Sequence, residues 1–335
     1  GAVVVADSGK RLRAFAADTG ARLWDVPLLA QAASEPGAGA DAVLLGEGNG
    51  GCAAFRLTDG LLLWRQSVLG DVVGAPAVGE RWAVFGSTGH TLYAVAKLSG
   101  EVSKTIVVSG EVLGRAGLEP AAAGRALTAV GTHDGRVYAF SPSWERLWAV
   151  GLRGAVRAAP LVRRYAVYVG TDEGLLGALE RETGQTKWET GVGGPVVDRL
   201  VVLPGAVVAG AGGALSFIEP ASGRPLAVIP VGGLLTGVAE DGGTVVAVTS
   251  SRRLIAAGVK APAPELPVRV AAIQSVVVEP QLIHPGRNER VTVTFSLVER
   301  RNLVVDVADA RGRRVVLLGN RDRADPGTYR FEWNG

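Results

Sequence analysis

The sequence predicts an all-β chain, a β-propeller of four-stranded blades over residues 1–260 followed by a smaller β domain. Three observations predict it. A segment with a turn glycine and a tryptophan recurs about every 40 residues. Glycine makes up 47 of the 335 residues, about twice the ordinary usage of roughly 7 %. Beyond a proline-rich stretch at residues 260–267 the recurrence stops, yet strand-like alternation continues.

Length allows one domain of about 200–300 residues and a smaller companion, because single cores stop growing near that size. So much glycine excludes long helices. The 35 Lys and Arg against 32 Asp and Glu leave a net charge of +3. No basic run is dense enough to track a phosphate backbone, so nucleic acid is not an expected partner. Cys52 is the only cysteine, which rules out an intrachain disulfide, and no CxxC or Cys/His cluster offers a zinc site. The chain holds no methionine and opens inside the apolar run Gly1-Ala2-Val3-Val4-Val5, which suggests a processed protein or an excised fragment with any signal peptide upstream. The uncharged stretch Leu200 to Ile218 is long enough to raise a membrane span. Pro204, Gly205, Gly210, Gly212 and Gly213 interrupt it and it keeps the period of its polar neighbours, so it reads as blade strands and no span is expected.

The clearest copies of the repeat are Ala14 to Trp24 (AFAADTGARLW) and Ala178 to Trp188 (ALERETGQTKW). Related copies run from Phe55 to Trp64, Tyr93 to Lys104 and Tyr138 to Trp148, with a weaker one from Phe217 to Leu226. Turn glycines Gly20, Gly60, Gly100, Gly184 and Gly223 keep the spacing, and the copy near Ser143 holds the missing place. A second ruler is independent: Gly46, Gly86, Gly131, Gly170 and Gly210, each closing a strand, are 40, 45, 39 and 40 residues apart. Each unit reads as four short strands; in the fifth these are Ala159 to Val162, Tyr165 to Gly170, Leu175 to Glu180 and Thr186 to Thr190. Gly- and Asp-rich turns such as Thr132-His133-Asp134-Gly135 and Thr171-Asp172-Glu173-Gly174 join the second and third strands, where positive φ matches strand twist. Four strands per 40 residues is the pattern of a propeller blade. Seven blades are expected, centred near residues 15, 55, 90, 135, 175, 212 and 250; an eighth lost to truncation is the alternative. The first lacks its innermost strand and the last, Thr236 to Val259, its outermost, and pairing the N-terminal strand into the last blade would close the ring.

The run A-x-(D/E)-x-x-(T/S)-G-x-x-x-W resembles the tryptophan-docking repeat of PQQ-like propellers, found in quinoprotein alcohol dehydrogenases and in the outer-membrane assembly lipoprotein family. The resemblance implies that Trp24, Trp64, Trp148 and Trp188 each pack on the neighbouring blade. Lys104 and Leu226 stand in the equivalent place of two blades, so docking there is expected to be looser.

Residues 261–272 are expected to be a stiff, extended linker, and residues 273–335 a second domain. There Val291 to Leu297 and Leu303 to Val307 alternate with strand period. The succession Pro285-Gly286, Val293 to Leu297, Val305 to Val315, Pro326-Gly327-Thr328-Tyr329 and Trp333-Asn334-Gly335 resembles the immunoglobulin-like domain of flagellar hook-capping proteins. In that family further strands follow the Trp-Asn/Asp-Gly turn, so the resemblance implies an immunoglobulin-like β-sandwich that is cut short.

Candidate sites are few. Gly46-Glu47-Gly48-Asn49-Gly50-Gly51 matches GxGxxG, but a dinucleotide site needs that loop to open a helix and here a strand, Cys52 to Phe55, follows. His90, His133 and His284 are too scattered for a metal triad. Glu47, His90, His133, Asp134, Asp172, Glu173 and Arg252 lie at turns after second strands and are expected to ring one mouth of the channel, joined by Asp7, with Gly20, Gly60, Gly100 and Gly184 at the opposite end. Solvated turn residues would look the same. The quinoprotein dehydrogenases that share the repeat add a vicinal cysteine pair, a calcium site and a catalytic Asp; one cysteine excludes the pair, and fold alone does not carry chemistry. No catalytic residue, metal or cofactor is therefore expected. The expected protein is a monomeric, non-catalytic, extracytoplasmic bacterial module that binds a protein or glycan partner. A propeller retaining a cofactor or small-ligand site, and a structural spacer of a multidomain surface protein, are the alternatives.

Overall fold

The computed structural model describes residues 1–119, 126–196, 198–241, 244–250, 254–258, 273–279, 291–297, 301–308, 314–325 and 327–333. It divides into two compact units, Gly1–Ala261 and Pro262–Gly335. The first is a seven-bladed propeller. Blade 1 holds β1 (Ala2–Ala6), β2 (Arg11–Ala16) and β3 (Arg22–Pro27). Blade 2 holds β4 (Gly37–Ala38), β5 (Ala42–Glu47), β6 (Gly51–Arg56) and β7 (Leu62–Ser67). Blade 3 has β8 (Ala77–Val78), β9 (Trp82–Ser87), β10 (Thr91–Ala96) and β11 (Val102–Val107). Blade 4 has β12 (Gly117–Leu118), β13 (Thr128–Gly131), β14 (Arg136–Phe140) and β15 (Arg146–Gly151). In blade 5 are β16 (Leu161–Val162), β17 (Ala166–Gly170), β18 (Leu175–Glu180) and β19 (Thr186–Gly191). Blade 6 comprises β20 (Val201–Leu203), β21 (Ala206–Ala211), β22 (Ala214–Ile218) and β23 (Pro225–Pro230), and blade 7 β24 (Leu235–Asp241), β25 (Thr244–Thr249) and β26 (Leu254–Gly258).

Within each blade, strands adjacent in sequence are antiparallel neighbours. Second strands such as β5, β17 and β21 are buried along their whole length, because a blade lies against each face; this is why they read as unbroken apolar runs. The ruler glycines have a steric cause. A Cβ on Gly46, Gly86, Gly131 or Gly170 would come within 1.9, 2.0, 2.1 and 2.4 Å of Val72, Val112, Val156 and Val196, the valines by which the chain crosses to the next blade.

The tryptophans follow the same logic between blades. Trp24 lies over Gly60, Trp64 over Gly100, Trp148 over Gly184 and Trp188 over Gly223, each so close that a Cβ would sit 2.6–2.8 Å from the ring. These glycines have φ of 72–75°, outside the range most side chains tolerate. Each indole Nε1 donates to a carbonyl of that next blade: Leu57, Lys97 and Arg181 at 2.8 Å, and Pro220 at 3.0 Å. Trp24, Trp64 and Trp148 are buried, whereas Trp188 is half-buried. A register shift in the pairing of third and fourth strands recurs beside each of them, between Ala14 and Phe15, Ala54 and Phe55, Ala139 and Phe140, and Ala178 and Leu179.

Ion pairs add to two junctions: the buried Lys97 with the half-exposed Asp41, and Arg181 with Glu119, both largely buried, at 2.5 Å. The expected closure is not found. Among the described residues β1 pairs with β2 alone and joins no strand of blade 7. Its free edge leaves Val3 and Val5 exposed.

The second unit has two sheets. One orders β27 (Ile273–Glu279), β28 (Val291–Leu297) and, at its far side, β31 (Gly327–Trp333); the other pairs β29 (Arg301–Ala308) with β30 (Arg314–Ala324). Their core is Phe295 and Ala324, surrounded by Val293, Val305, Tyr329 and Phe331. Phe295 stacks on Tyr329 and Phe331 at 5.9 and 6.0 Å. The expected linker and Pro285-Gly286 lie outside the described residues.

Candidate functional site

A recurrent main-chain bond gathers the turns after second strands. Gly48 N–H donates to Gln31 O, Thr88 to Asp71 O, His133 to Glu111 O and Asp172 to Ala155 O, at 2.8–3.0 Å. Each such turn is therefore fastened to the connection by which the chain enters its own blade from the preceding one. Glycines Gly20, Gly60, Gly100 and Gly184 lie in turns at the other end of β2, β6, β10 and β18.

The six described residues of the seven expected at the mouth divide into three kinds. Glu47 is inside the fold: it is fully buried, pairs with Arg65 at 2.6 Å and accepts from the N–H of Leu29. It braces β5 against the chain that crosses into its own blade. Asp134 and Asp172 fasten the turns. The Asp134 carboxylate accepts from the hydroxyls of Ser109 and Thr132; partial burial pushes its pKa up, but these bonds outweigh it and hold the group below the usual 3.8. Asp172 accepts from Ala155 N–H at 2.7 Å and lies 3.9 Å from Arg157. Asp7, in blade 1, similarly accepts from Gly9 and Arg11 N–H and pairs with Arg13. His90, His133 and Glu173 are exposed. His90 takes a left-handed φ of 58° at its turn, and Glu173 meets the exposed Arg153 at 3.3 Å. Arg252 lies outside the described residues.

Sequence reasoning missed a second set. Glu35, Arg115 and Arg199 occupy one repeat position, two residues before the start of β4, β12 and β20. Arg199 of blade 6 reaches Glu35 of blade 2 at 3.8 Å. Burial lowers the Arg115 pKa, the nearby Arg199 lowers it further and Glu35 opposes both. Aligning the repeats on their strand-closing glycines brings Glu35 and Arg199 into one column, but the longer 45-residue spacing before Gly131 moves Arg115 out of it. A cleft of about 500 Å³ lies beside it, between β1 and residues 31–36, at the inner edge of blade 1. Cys52 is buried in β6, and burial, aided by the charge of Glu47, pushes its thiol far above its ordinary pKa. Among the described residues no three His, Cys, Asp or Glu side chains group as a metal site, and no helix is long and apolar enough to cross a membrane. The turns after second strands thus carry polar groups in successive blades.

Comparison with known proteins agrees with this geometry. Residues 8–144 and 102–292 match the family described as outer membrane protein assembly factor BamB. A protein of that name from Burkholderia pseudomallei (strain K96243) is 31 % identical over 112 residues, 33 % of this chain and 28 % of that protein; the match thus spans little more than a quarter of the curated relative. The crystal structure of BamB from Moraxella catarrhalis superposes with a TM-score of 0.64 at 18 % identity, covering 76 % of this chain and 81 % of the other. A computationally designed protein, Ika8, gives 0.65 at 18 % identity over 87 % and 89 %. At these identities the likeness is one of fold.

Proposed function

This chain belongs to the family described as outer membrane protein assembly factor BamB, and from that premise we propose that it is a non-catalytic, extracytoplasmic protein-interaction scaffold whose partner docks at the mouth ringed by His90, His133, Asp134, Asp172 and Glu173. The observation that supports the reading is the repeated fastening of turn to connection in successive blades; polar groups held in this way suit a pre-formed concave docking surface. A fixed end of this kind limits the ordering cost of association. Trp24, Trp64, Trp148 and Trp188 are proposed to serve as the blade-docking set of PQQ-like propellers, a fold role and not a chemical one. The second unit is proposed to be an immunoglobulin-like appendage joined by the segment 261–272. Protein is preferred to glycan as the ligand because the family description names an assembly factor.

The test places a photocrosslinking residue at His133 or Glu173, at the mouth, and at Asp59, at the opposite end, in the producing cell. Adducts with an envelope protein are expected from the mouth positions alone. Equal adducts from Asp59, or none from a folded protein at the mouth, would overturn the placement.

A further inference from the structure

Blade 3 breaks the packing rule of its neighbours on both sides of one junction. Lys104 stands where blades 1, 2, 4 and 5 have tryptophan. Trp144, four residues before Trp148, stands where Gly20, Gly60 and Gly184 precede theirs. Trp144 has φ 65°, close to the 68°, 74° and 74° of those glycines, a conformation strained for a bulky side chain. If the two changes merely compensated each other, the indole would fill the junction. It fills it only in part: Trp144 and Ile106 pack against the cluster that holds Tyr138 and Phe140, yet a groove of about 370 Å³ remains between β11 and blade 4, lined by Lys104, Ile106, Tyr138, Phe140, Trp144 and Arg146 among others.

The groove has a defined chemistry. Its floor is aromatic, with Tyr138 and Phe140 buried and stacked at 6.2 Å. The Tyr138 hydroxyl is already engaged by Ser109, so the floor offers little besides apolar surface. Its rim carries two exposed cations, Lys104 and Arg146, and among the described residues neither has a carboxylate within ion-pair distance. Beside them β11 is the outer edge of its sheet, and Val107 on it is 80 % exposed.

We propose that this groove docks an extended acidic segment of a partner protein. The segment adds along β11 through main-chain hydrogen bonds, sets an apolar side chain against Trp144 and Phe140, and places carboxylates beside Lys104 and Arg146. Strand addition to an open edge supplies affinity and the alternate side chains supply selectivity; the unpaired cations select the sign of the partner. The site is on the outer rim and does not depend on the mouth.

The probe is a fluorescein-labelled ten-residue peptide of alternating Glu and Leu, titrated with the whole chain and followed by anisotropy. Peptides alternating Lys with Leu and Glu with Ser are the controls. Saturable binding at least tenfold tighter than either control is expected. K104E/R146E should weaken it at least tenfold. K104W/W144G, which rebuilds the packing of the other junctions, should abolish it while melting no lower than the parent. Equal binding of the Glu–Ser control, or undiminished binding by either variant, would overturn the proposal. Because Lys104 and Arg146 are exposed, the charge-reversed variant keeps the test decisive even if the rebuilt junction fails to fold.

Discussion

Replacing Trp148 by Ala tests the packing on which the propeller rests. The side chain is 7 % exposed, so nearly its whole surface leaves water on folding. At about 25 cal/mol per Å² over roughly 150–250 Å², that burial is worth about 4–6 kcal/mol, in line with the roughly 3–5 kcal/mol lost in measured Trp→Ala replacements. The Nε1 bond to Arg181 O at 2.8 Å contributes about 1 kcal/mol and would leave a carbonyl unmatched. A loss of about 4–5 kcal/mol is expected. In a unit of this size each kcal/mol moves Tm by roughly 2–4 °C, so the transition should fall by about 10–15 °C in calorimetry. Lys104→Ala, at the same repeat position but exposed, should change stability by no more than about 0.5 kcal/mol. Trp188→Ala should fall between them, since that ring is half-buried. A Trp148→Ala variant within about 1 kcal/mol of Lys104→Ala would refute the argument that these rings hold neighbouring blades together.

Gly184→Ala should destabilise by about 1–3 kcal/mol, because its φ is 74° and the new methyl would lie 2.7 Å from the Trp148 ring; Gly151→Ala, with nothing within 4 Å, is the neutral control. Glu119→Ala removes the carboxylate partner of the buried Arg181 guanidinium, which keeps its bond to Arg163 O, and should cost about 2–4 kcal/mol by denaturant titration, while a loss near zero would show the pair to be idle. Asp134 has a folded pKa below its usual 3.8, so its contribution is present above that value and is lost as pH falls through the depressed one. The Tm gap between the parent and Asp134→Asn should therefore be constant from about pH 6 to 8 and shrink below about pH 4; a gap that widens on acidification contradicts the assignment. Mixing the purified protein with PQQ and calcium should give neither a tight complex nor dye-linked alcohol oxidation, and either result would overturn the non-catalytic reading.

The fold was legible because its repeats are enforced by contact. Gly46 and its counterparts are spaced evenly since each must admit a valine of the crossing chain, and Gly60 or Gly184 since each must admit an indole. Such positions tolerate one residue type, so they recur visibly in the sequence. The mouth was legible only in part. Counting located the turns between second and third strands, but it could not tell that Glu47 still belongs to β5 and turns inward to Arg65 while His133, two residues past its strand, is exposed. The pairs Asp41–Lys97 and Glu119–Arg181 were hidden because they join a turn of one blade to a strand end of the next, 56 and 62 residues away.

Positions that depart from the repeat carry a different kind of information. A repeat residue is explained by the neighbouring blade, and its loss should lower stability. Lys104 and Trp144 are not explained in that way: together they leave the junction open and keep a tryptophan in a glycine conformation, where the repeat's own pair would pack better. Glu35, Arg115 and Arg199 likewise place charge in alternate blades where Ala75 and Ala159 stand between them. Charge converging from separate blades costs desolvation that a ring of alanines would avoid. In a fold whose interior is settled by a periodic set of contacts, residues that give up packing where the repeat would supply it are the positions at which to test for binding.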